Sequence, residues 1–401
     1  MATWDHTPMG RGYETWFGYY HHANDYWTQQ VVSSGPETCG SMVDLWNTTG
    51  PARDRNGTAY EEEMFTNNTL HILDQHDASE PLFLFHAFHQ IHTPLEVPEE
   101  WETPFGFIRN AYRRKYAAMV AYMDHALGKI VHKLKAKDMW NNTLLVVSSD
   151  NGGPTYYVPN IGFGGASNRP LKGGKMSDWE GGVRVNAFVA GGAVPESKRG
   201  TVLTDFIHVS DWYATFCSIA GISPMDERAA KAHLPPVDGI DHSDLLIGNA
   251  APGTGNRTEV HHSVRALTQG RWKLITGGYM DETELHPMGI PWIGWSDYGD
   301  GWGFEAVRST YASFKNCGNG CLYDVFDDPE ERHNKATSQP EVLARMAARL
   351  EALNQGVFLP DRGSRDKRSC DRWNGFYGPW IDVPTEAVEE ARDKEAVQVL
   401  V

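Results

Sequence analysis

An aspartate, an asparagine and two glycines follow an apolar run in LLVVSSDNGG, residues 144–153. A carboxylate and a carboxamide oxygen side by side are hard ligands, which suit Ca²⁺ or Mg²⁺ and suit a soft metal poorly. The two glycines allow the main chain to bend so that both side chains point at one ion. The pattern therefore predicts Asp150 and Asn151 as metal ligands, with an ordinary Asn-Gly hairpin turn as the alternative.

Four basic side chains stand among glycines a short way beyond this turn. The intervening residues GPTYYVPNIGFGGASN do not alternate as a returning strand would, which favours a functional loop over a hairpin. Arg169, Lys172, Lys175 and Arg184 then lie within NRPLKGGKMSDWEGGVR, residues 168–184. Together with a cation, such a loop would offset the charge of a sulfate or phosphate ester. For any single lysine, a solvated surface position is the plainer interpretation.

Three histidines, His86, His89 and His92, are spaced by three residues. In a strand this spacing alternates between faces, so the three cannot all bind one metal, and at least one is expected to be an ordinary core or surface residue. His92 differs because it follows an apolar run, where the end of a strand would face the same cleft as Asp150. It is the candidate for holding a substrate oxygen or for general acid catalysis.

The elements that would position these residues form a strand, helix, strand pattern. PLFLFHAF, residues 81–88, predicts a short buried strand. From Arg113, apolar residues recur at three- and four-residue steps, which predicts a helix that ends near Trp140, before the strand LLVVSSD. The two strands are expected to lie parallel in a sheet covered on both faces. The apolar face of the helix consists of Tyr116, Met119, Val120, Met123, Leu127, Ile130, Val131 and Leu134.

The remaining sequence predicts a second helix and a small antiparallel sheet. The second helix lies in residues 206–222 and ends at Gly221. HSVRALTQ and WKLITGG have a period of two and flank a turn, which predicts a hairpin, and CLYDVF adds a strand to it. A capping box from Ser338 to Glu341 precedes another helix. The apolar face of that helix consists of Val342, Leu343, Met346, Leu350 and Leu353.

These patterns predict two domains. An α/β domain with a central, mostly parallel sheet is expected over residues 1–250. A smaller α+β domain with an antiparallel sheet is expected over residues 259–385, after a linker near 245–258, and a charged tail follows over residues 386–401.

The charge and composition of the chain limit the classes of partner that it can bind. The chain has 401 residues and a formal net charge of -16, which argues against nucleic acid or an anionic membrane as a partner. No apolar stretch is long enough for a membrane span, and MATWDHTPMG has neither the basic start nor the apolar region of a signal peptide. Asn-X-Ser/Thr sequons favour a glycosylated protein of the secretory pathway. The sequons begin at Asn47, Asn56, Asn67, Asn141 and Asn256.

The five cysteines fit an oxidising compartment, and their odd number leaves one without a partner in the chain. Cys317 and Cys321 could be half of a zinc site, but no second ligand pair follows them. We expect a disulfide to Cys370 instead.

An ordered set of motifs resembles the type I sulfatases, most closely the arylsulfatase B group. The motifs are RGYETWFGYYHHANDYW, FHQIHTPLEVPEEW, YAAMVAYMDHALGKIVHKLK, WNNTLLVVSSDNGG, NRPLKGGKMSDWEGGVR, FIHVSDWYATF and LYDVFDDPEERHN. The resemblance runs from about residue 10 to residue 380. It implies an alkaline-phosphatase-like α/β fold, hydrolysis of the sulfate esters of a glycan or aryl compound, bound Ca²⁺ and a lysosomal or secreted location. By motif, Asp150 and Asn151 would bind the metal, Lys175 would contact the sulfate, and His92 would contact the sulfate or assist the leaving group.

One feature departs from the family pattern. Sulfatases use a cysteine in Cys-X-Pro-Ser-Arg, which is converted to formylglycine, and none of the five cysteines here has that context. We expect Met1 to be an internal methionine of a longer protein. The alternatives are a non-catalytic protein that binds sulfated glycans through the basic residues, and a phosphoesterase of the same superfamily.

Overall fold

The computed structural model describes residues 2–21, 23–31, 41–155, 157–158, 162–175, 177–277, 317–358 and 366–382. The chain divides into two compact units. Unit 1 comprises residues 1–133, 160–162 and 360–401, and unit 2 comprises residues 134–159 and 163–359. The predicted tail over residues 386–401 lies outside the described residues. The predicted domain boundaries near residue 250 stay a prediction.

The described helices are α1 (Glu61–Gln75), α2 (Glu99–Glu102), α3 (Ala111–Ala136), α4 (Glu180–Val183), α5 (Asp211–Ile219), α6 (Glu227–Lys231), α7 (Ser243–Leu246), α8 (Pro340–Asn354) and α9 (Arg368–Asp371). The described strands are β1 (Phe17–Gly18), β2 (Trp46–Asn47), β3 (Gly50–Pro51), β4 (Leu145–Ser148), β5 (Tyr157–Val158), β6 (Gly162–Phe163), β7 (Ala187–Ala190), β8 (Glu259–Ser263), β9 (Ala266–Gln269), β10 (Trp272–Ile275) and β11 (Cys321–Asp324). The strands form a sheet β1-β2-β3, a sheet β11-β10-β9-β8 and the pairs β4-β7 and β5-β6.

The core of unit 1 is built on α3, which confirms the predicted helix. Met119 and Tyr122 are buried and pack with Tyr26 and Tyr60 in one cluster. Val120 differs from the prediction, since it remains 37% exposed. The buried stripe continues along Ala126 and Ile130, at the four-residue spacing of a helix face.

The prediction of a strand over residues 81–88 is wrong. The segment has no ladder partner among the described residues, and Phe83 and Phe85 are 60% and 70% exposed. Strand β4 forms as predicted, but it pairs antiparallel with β7, with Leu145 opposite Ala190. An apolar run becomes a strand only when a second strand accepts its backbone hydrogen bonds, and that partner cannot be read from the run itself.

Unit 2 contains the predicted antiparallel sheet. Strand β9 pairs with β10 across the Gly270 turn, and β11 pairs with β10 on the other side. Helix α8 covers this sheet and buries Met346 and Leu350 against Leu267, Leu274 and Leu322. The apolar face predicted for this helix is therefore confirmed.

Two predicted helix ends have different outcomes. Gly221 follows α5 at a positive φ of 72°, and the N–H of Ile222 donates to the carbonyl of Cys217 at 3.0 Å, which confirms the glycine stop. The predicted capping box is wrong. Helix α8 begins at Pro340 after Gln339, and the Ser338 hydroxyl donates to the carbonyl of Lys335.

The cysteine prediction also needs correction. Cys317 and Cys321 form a disulfide with each other. A four-residue separation closes a small loop just before β11, so neither sulfur is left to bond Cys370, whose side chain lies outside the described residues. Cys217 is a buried free thiol on α5.

Candidate functional site

The turn after β4 places Asp150 and Asn151 two and three residues beyond the end of the strand. Both described hydrogen bonds to the Asp150 carboxylate use Oδ1, which accepts the main-chain N–H and the Nδ2 of Asn151 at 2.8 Å each. Oδ2 of Asp150 and Oδ1 of Asn151 remain as oxygen donors for a cation. Because the strand partner of β4 begins only at Ala187, the plain Asn-Gly hairpin is excluded.

Gly152 packs directly on the basic loop, defined here as residues 168–184. A Cβ on Gly152 would lie 1.7 Å from the carbonyl oxygen of Gly181, so no other residue fits without a shift. The N–H of Gly152 donates to the carbonyl of Gly182 at 2.9 Å. The turn of residues 150–153, called the Asp150 turn below, is therefore attached to the basic loop through backbone atoms.

Asn168 joins the same two segments and was missed by the sequence analysis. Its Oδ1 accepts the N–H of Gly153 at 3.0 Å, and its Nδ2 donates to the carbonyls of Gly153 and Gly173 at 2.8 and 3.0 Å. A carboxamide can do both because it carries a donor and an acceptor. The only signal in the sequence was an asparagine among glycines, which is common in loops.

Lys175 is brought within electrostatic reach of Asp150. Burial lowers the pKa of Lys175 from its usual value, and the Asp150 carboxylate raises it part of the way back. The main-chain N–H of Lys175 donates to the carbonyl of Gly153 at 3.4 Å. Asp150 and Lys175 are therefore close enough in unit 2 to interact electrostatically, and their roles in a site stay a prediction.

The other three basic residues have different surroundings. Lys172 is buried, and its Nζ lies 3.4 Å from the ring centroid of Trp179, a cation–π contact. Lys172 therefore belongs to the packed interior of the loop. The Arg184 side chain is 58% exposed, with Nη1 3.8 Å from Oε2 of Glu180, and Arg169 is exposed.

His92 belongs to unit 1, where a buried tyrosine holds its backbone. The hydroxyl of Tyr26 lies 3.0 Å from the carbonyl oxygens of both His89 and His92. The Nδ1 of His92 lies 2.7 Å from the carbonyl of Thr93 and must carry a proton to donate there. In the neutral ring, Nε2 is then the acceptor.

His86 and His89 are core residues, as the spacing argument required of at least one histidine. Nδ1 of His89 lies 2.6 Å from Oε2 of Glu61, and Nε2 of His86 lies 3.9 Å from Oε1 of Glu62. Burial lowers the pKa of His86 to about 4 and that of His89 to about 3. Burial likewise raises the pKa of each glutamate to about 8.

The donor chemistry of the Asp150 turn fits a hard divalent cation, but it supplies only part of a shell. Ca²⁺ takes about six to eight oxygens. Among the described residues, no group of three or more His, Cys, Asp or Glu side chains is placed to hold a metal ion. Asp150 and Asn151 would therefore share the ion with ligands beyond these two.

The chain matches the Sulfatase family model over residues 2–222 and belongs to this family. It is 31% identical over 398 residues to arylsulfatase J of Mus musculus, covering 94% of this chain and 62% of that protein. It is 24% identical over 371 residues to N-acetylgalactosamine-6-sulfatase of Canis lupus familiaris, covering 91% of this chain and 66% of that protein. The chain thus spans less than two thirds of the length of either relative.

A solved structure supports the fold. Ps i-CgsB in complex with k-i-k-neocarrahexaose aligns with a TM-score of 0.64 at 22% identity, covering 98% of this chain and 73% of that chain. Together with the family match, this establishes the alkaline-phosphatase-like α/β fold. Sulfatases as a family bind a divalent cation. Among the described residues, no helix has the length and apolar character needed to cross a bilayer.

Proposed function

We propose that this chain is part of an enzyme that hydrolyses the sulfate esters of a glycan or an aryl compound. The observation that carries the proposal is the packing of the Asp150 turn on the basic loop, which puts a potential cation ligand near the ammonium of Lys175. A cation and an ammonium group on neighbouring segments together offset the charge of a sulfate ester. Because the chain spans 62% of the length of arylsulfatase J, the activity of the whole protein is part of this proposal.

Each site residue has a role in the proposed reaction. Asp150 and Asn151 would hold Ca²⁺ through one carboxylate and one carboxamide oxygen, and the ion would supply positive charge that offsets the charge of the sulfate. Lys175 contacts the sulfate, and its partial burial reduces the competition of water for the ammonium group. His92 contacts the sulfate through Nε2 or, only in its doubly protonated imidazolium form, gives a proton from Nε2 to the leaving oxygen, since Nδ1 is occupied by Thr93.

A second candidate function is non-catalytic binding of sulfated glycans through the basic loop. The observation in its favour is that none of the five cysteines stands in the Cys-X-Pro-Ser-Arg sequence that supplies the family's formylglycine nucleophile. Binding requires only the charges of the loop, whereas hydrolysis requires a nucleophile.

Release of 4-nitrophenol from 4-nitrophenyl sulfate, with added Ca²⁺, tests these candidates. We would compare the chain with a version extended at its N-terminus, and each with its Lys175→Met variant. Turnover by the extended protein, reduced by the substitution, supports the sulfatase. Binding of a sulfated glycan without turnover by either form supports the non-catalytic candidate. Faster release from 4-nitrophenyl phosphate would instead indicate a phosphoesterase of the same superfamily.

The cellular setting is part of the same proposal. We place the protein in the lysosome or outside the cell, because its sequons and its disulfide suit the secretory pathway. Four of the five sequon asparagines are exposed and are the ones we expect to carry glycans: Asn47, Asn67, Asn141 and Asn256. The partner is a sulfated small molecule or glycan. The domains proposed are residues 1–250 and 259–385.

A further inference from the structure

Lys273 on β10 is a fully buried lysine that lies between two buried carboxylates. Its Nζ lies 2.9 Å from Oε1 of Glu180 and 3.0 Å from Oε1 of Glu331. Burial alone would lower the pKa of Lys273, but the two carboxylates outweigh burial and raise it. Lys273 is therefore a cation inside the protein that pairs with both glutamates, and burial raises the pKa of Glu331 to about 7.

The cluster is connected to the proposed site through three successive residues. Oε2 of Glu331 accepts the N–H of Glu180 at 2.7 Å. The N–H of the next residue, Gly181, donates to the carbonyl of Lys172 at 2.7 Å. The carbonyl of Gly182 accepts the N–H of Gly152 at 2.9 Å. Residue 180 thus contacts the rest of the cluster, residue 181 contacts the earlier part of the basic loop, and residue 182 contacts the Asp150 turn.

Glycine is required where these segments meet. A Cβ on Gly181 would lie 2.5 Å from the carbonyl oxygens of Lys172 and Gly173, and one on Gly182 would lie 2.3 Å from the carbonyl of Ser177. Such a glycine-rich backbone has little side-chain packing of its own to fix it. Its position must be fixed by the groups that anchor its ends.

We propose that Lys273, Glu180 and Glu331 form a positioning cluster that holds the basic loop against the Asp150 turn, so that Lys175 and Asp150 meet the same anionic ester. The cluster touches no substrate and acts through the backbone of residues 180–182. The proposal rests on the proposed function for the identity of the ligand. Buried ion clusters often stabilise a fold no more than apolar side chains of the same volume do. We therefore assign this cluster the role of fixing the position of the basic loop.

Two substitutions at Glu331 test the cluster. Glu331→Ala removes both the counter-ion and the acceptor for the N–H of Glu180, whereas Glu331→Gln keeps an acceptor and nearly the same volume. Asp324→Asn is the matched control. It weakens the ion pair between Arg271 and Asp324, and neither of these two side chains has a described bond to the basic loop.

The readouts are amide hydrogen exchange, followed by mass spectrometry, and the affinity for inorganic sulfate. We expect Glu331→Ala to speed exchange about tenfold in residues 172–183 and 150–153, with little change in β9. Sulfate affinity should fall about three- to tenfold, and Glu331→Gln should recover part of both effects. Asp324→Asn should change neither.

The outcomes separate the two proposals. Exchange that rises equally in β9 and in the basic loop, or that does not rise at all, would overturn the positioning role. If exchange rises locally but Lys175→Met leaves sulfate affinity unchanged, the cluster positions the loop as proposed and the anion site is what fails. If Glu331→Ala does not fold, Glu331→Gln carries the same comparison.

Discussion

Nδ1 of His89 lies 2.6 Å from Oε2 of Glu61, and both side chains are completely buried in unit 1. A neutral pair results whether the proton resides on the histidine or on the carboxyl group, so the folded protein keeps one proton here over a wide pH range. The Glu62 and His86 side chains form a second, looser pair beside it.

These pairs predict that stability falls as the pH rises from 6.5 to about 8. Burial raises the pKa of Glu61 and of Glu62 to about 8, whereas an unfolded glutamate and histidine have both lost their protons above 6.5. Folding then binds protons, and a raised carboxyl pKa contributes stability that is lost as the pH rises through it. The expected loss is roughly 2 kcal/mol for each glutamate.

Urea denaturation at pH 6.5 and pH 8 measures this effect. The double variant Glu61→Gln with Glu62→Gln should lose most of the dependence on pH in this window, and Glu331, whose pKa burial raises to about 7, should account for what remains. Glu63→Gln is the control, because Glu63 lies on the same helix and is exposed. An unchanged pH dependence in the double variant would contradict the assignment.

Gly152→Ala should displace the Asp150 turn. The new methyl group would overlap the carbonyl of Gly181, and relief of such a contact in a packed region costs about 1–3 kcal/mol. We expect a lower melting temperature and weaker Ca²⁺ and sulfate binding, measured by calorimetry. Gly128→Ala on α3 is the control, since an added Cβ there meets nothing within 4 Å and should be neutral or stabilising. A Gly152→Ala protein with unchanged melting and binding would show that the turn can relax freely.

Substitution by methionine should affect sulfate binding at one lysine of PLKGGK and stability at the other. Lys175→Met should weaken sulfate binding and leave stability nearly unchanged, because burial disfavours its charge. Lys172→Met should lower stability by about 1–2 kcal/mol through the lost contact with Trp179. Thermal denaturation and sulfate titration of both variants provide the comparison. Equal effects of the two substitutions on sulfate binding would refute the division of roles.

Met346→Ala should destabilise unit 2 by about 2–5 kcal/mol, because it opens a cavity between α8 and the sheet. Arg345→Ala, an exposed neighbour on the same helix, should change stability by less than about 0.5 kcal/mol. Denaturant titration of the two variants tests this, and comparable losses in both would mean that the helix does not bury the face assigned to it.

Local patterns predicted the parts of the fold that depend on neighbours in sequence. Helix α3, helix α8, the Gly221 stop and the hairpin all follow from periodicity and turn residues within about twenty positions. The strand expected at residues 81–88 failed, because its existence depended on a distant partner that the apolar run does not specify.

In the candidate site, too, residues that lie close together in the sequence were predicted and contacts between distant residues were not. Asp150, Asn151 and Lys175 were predicted from residue type and spacing, and whether they bind ligand stays a prediction. Lys273 and Glu331 were not anticipated, since Lys273 lies 93 positions from Glu180 and only the fold brings the two together. A buried lysine inside a period-two strand gives no sign in the sequence of the carboxylates it will meet.

The contact between Gly152 and Gly181 also makes the residue that is tolerated at position 152 depend on the backbone at position 181. Position 152 cannot gain a side chain while the backbone of Gly181 stays in place, so a substitution there is tolerated only after the two segments have moved apart. Among related proteins, lineages that have lost the glycine at position 152 should therefore also have a remodelled backbone around position 181.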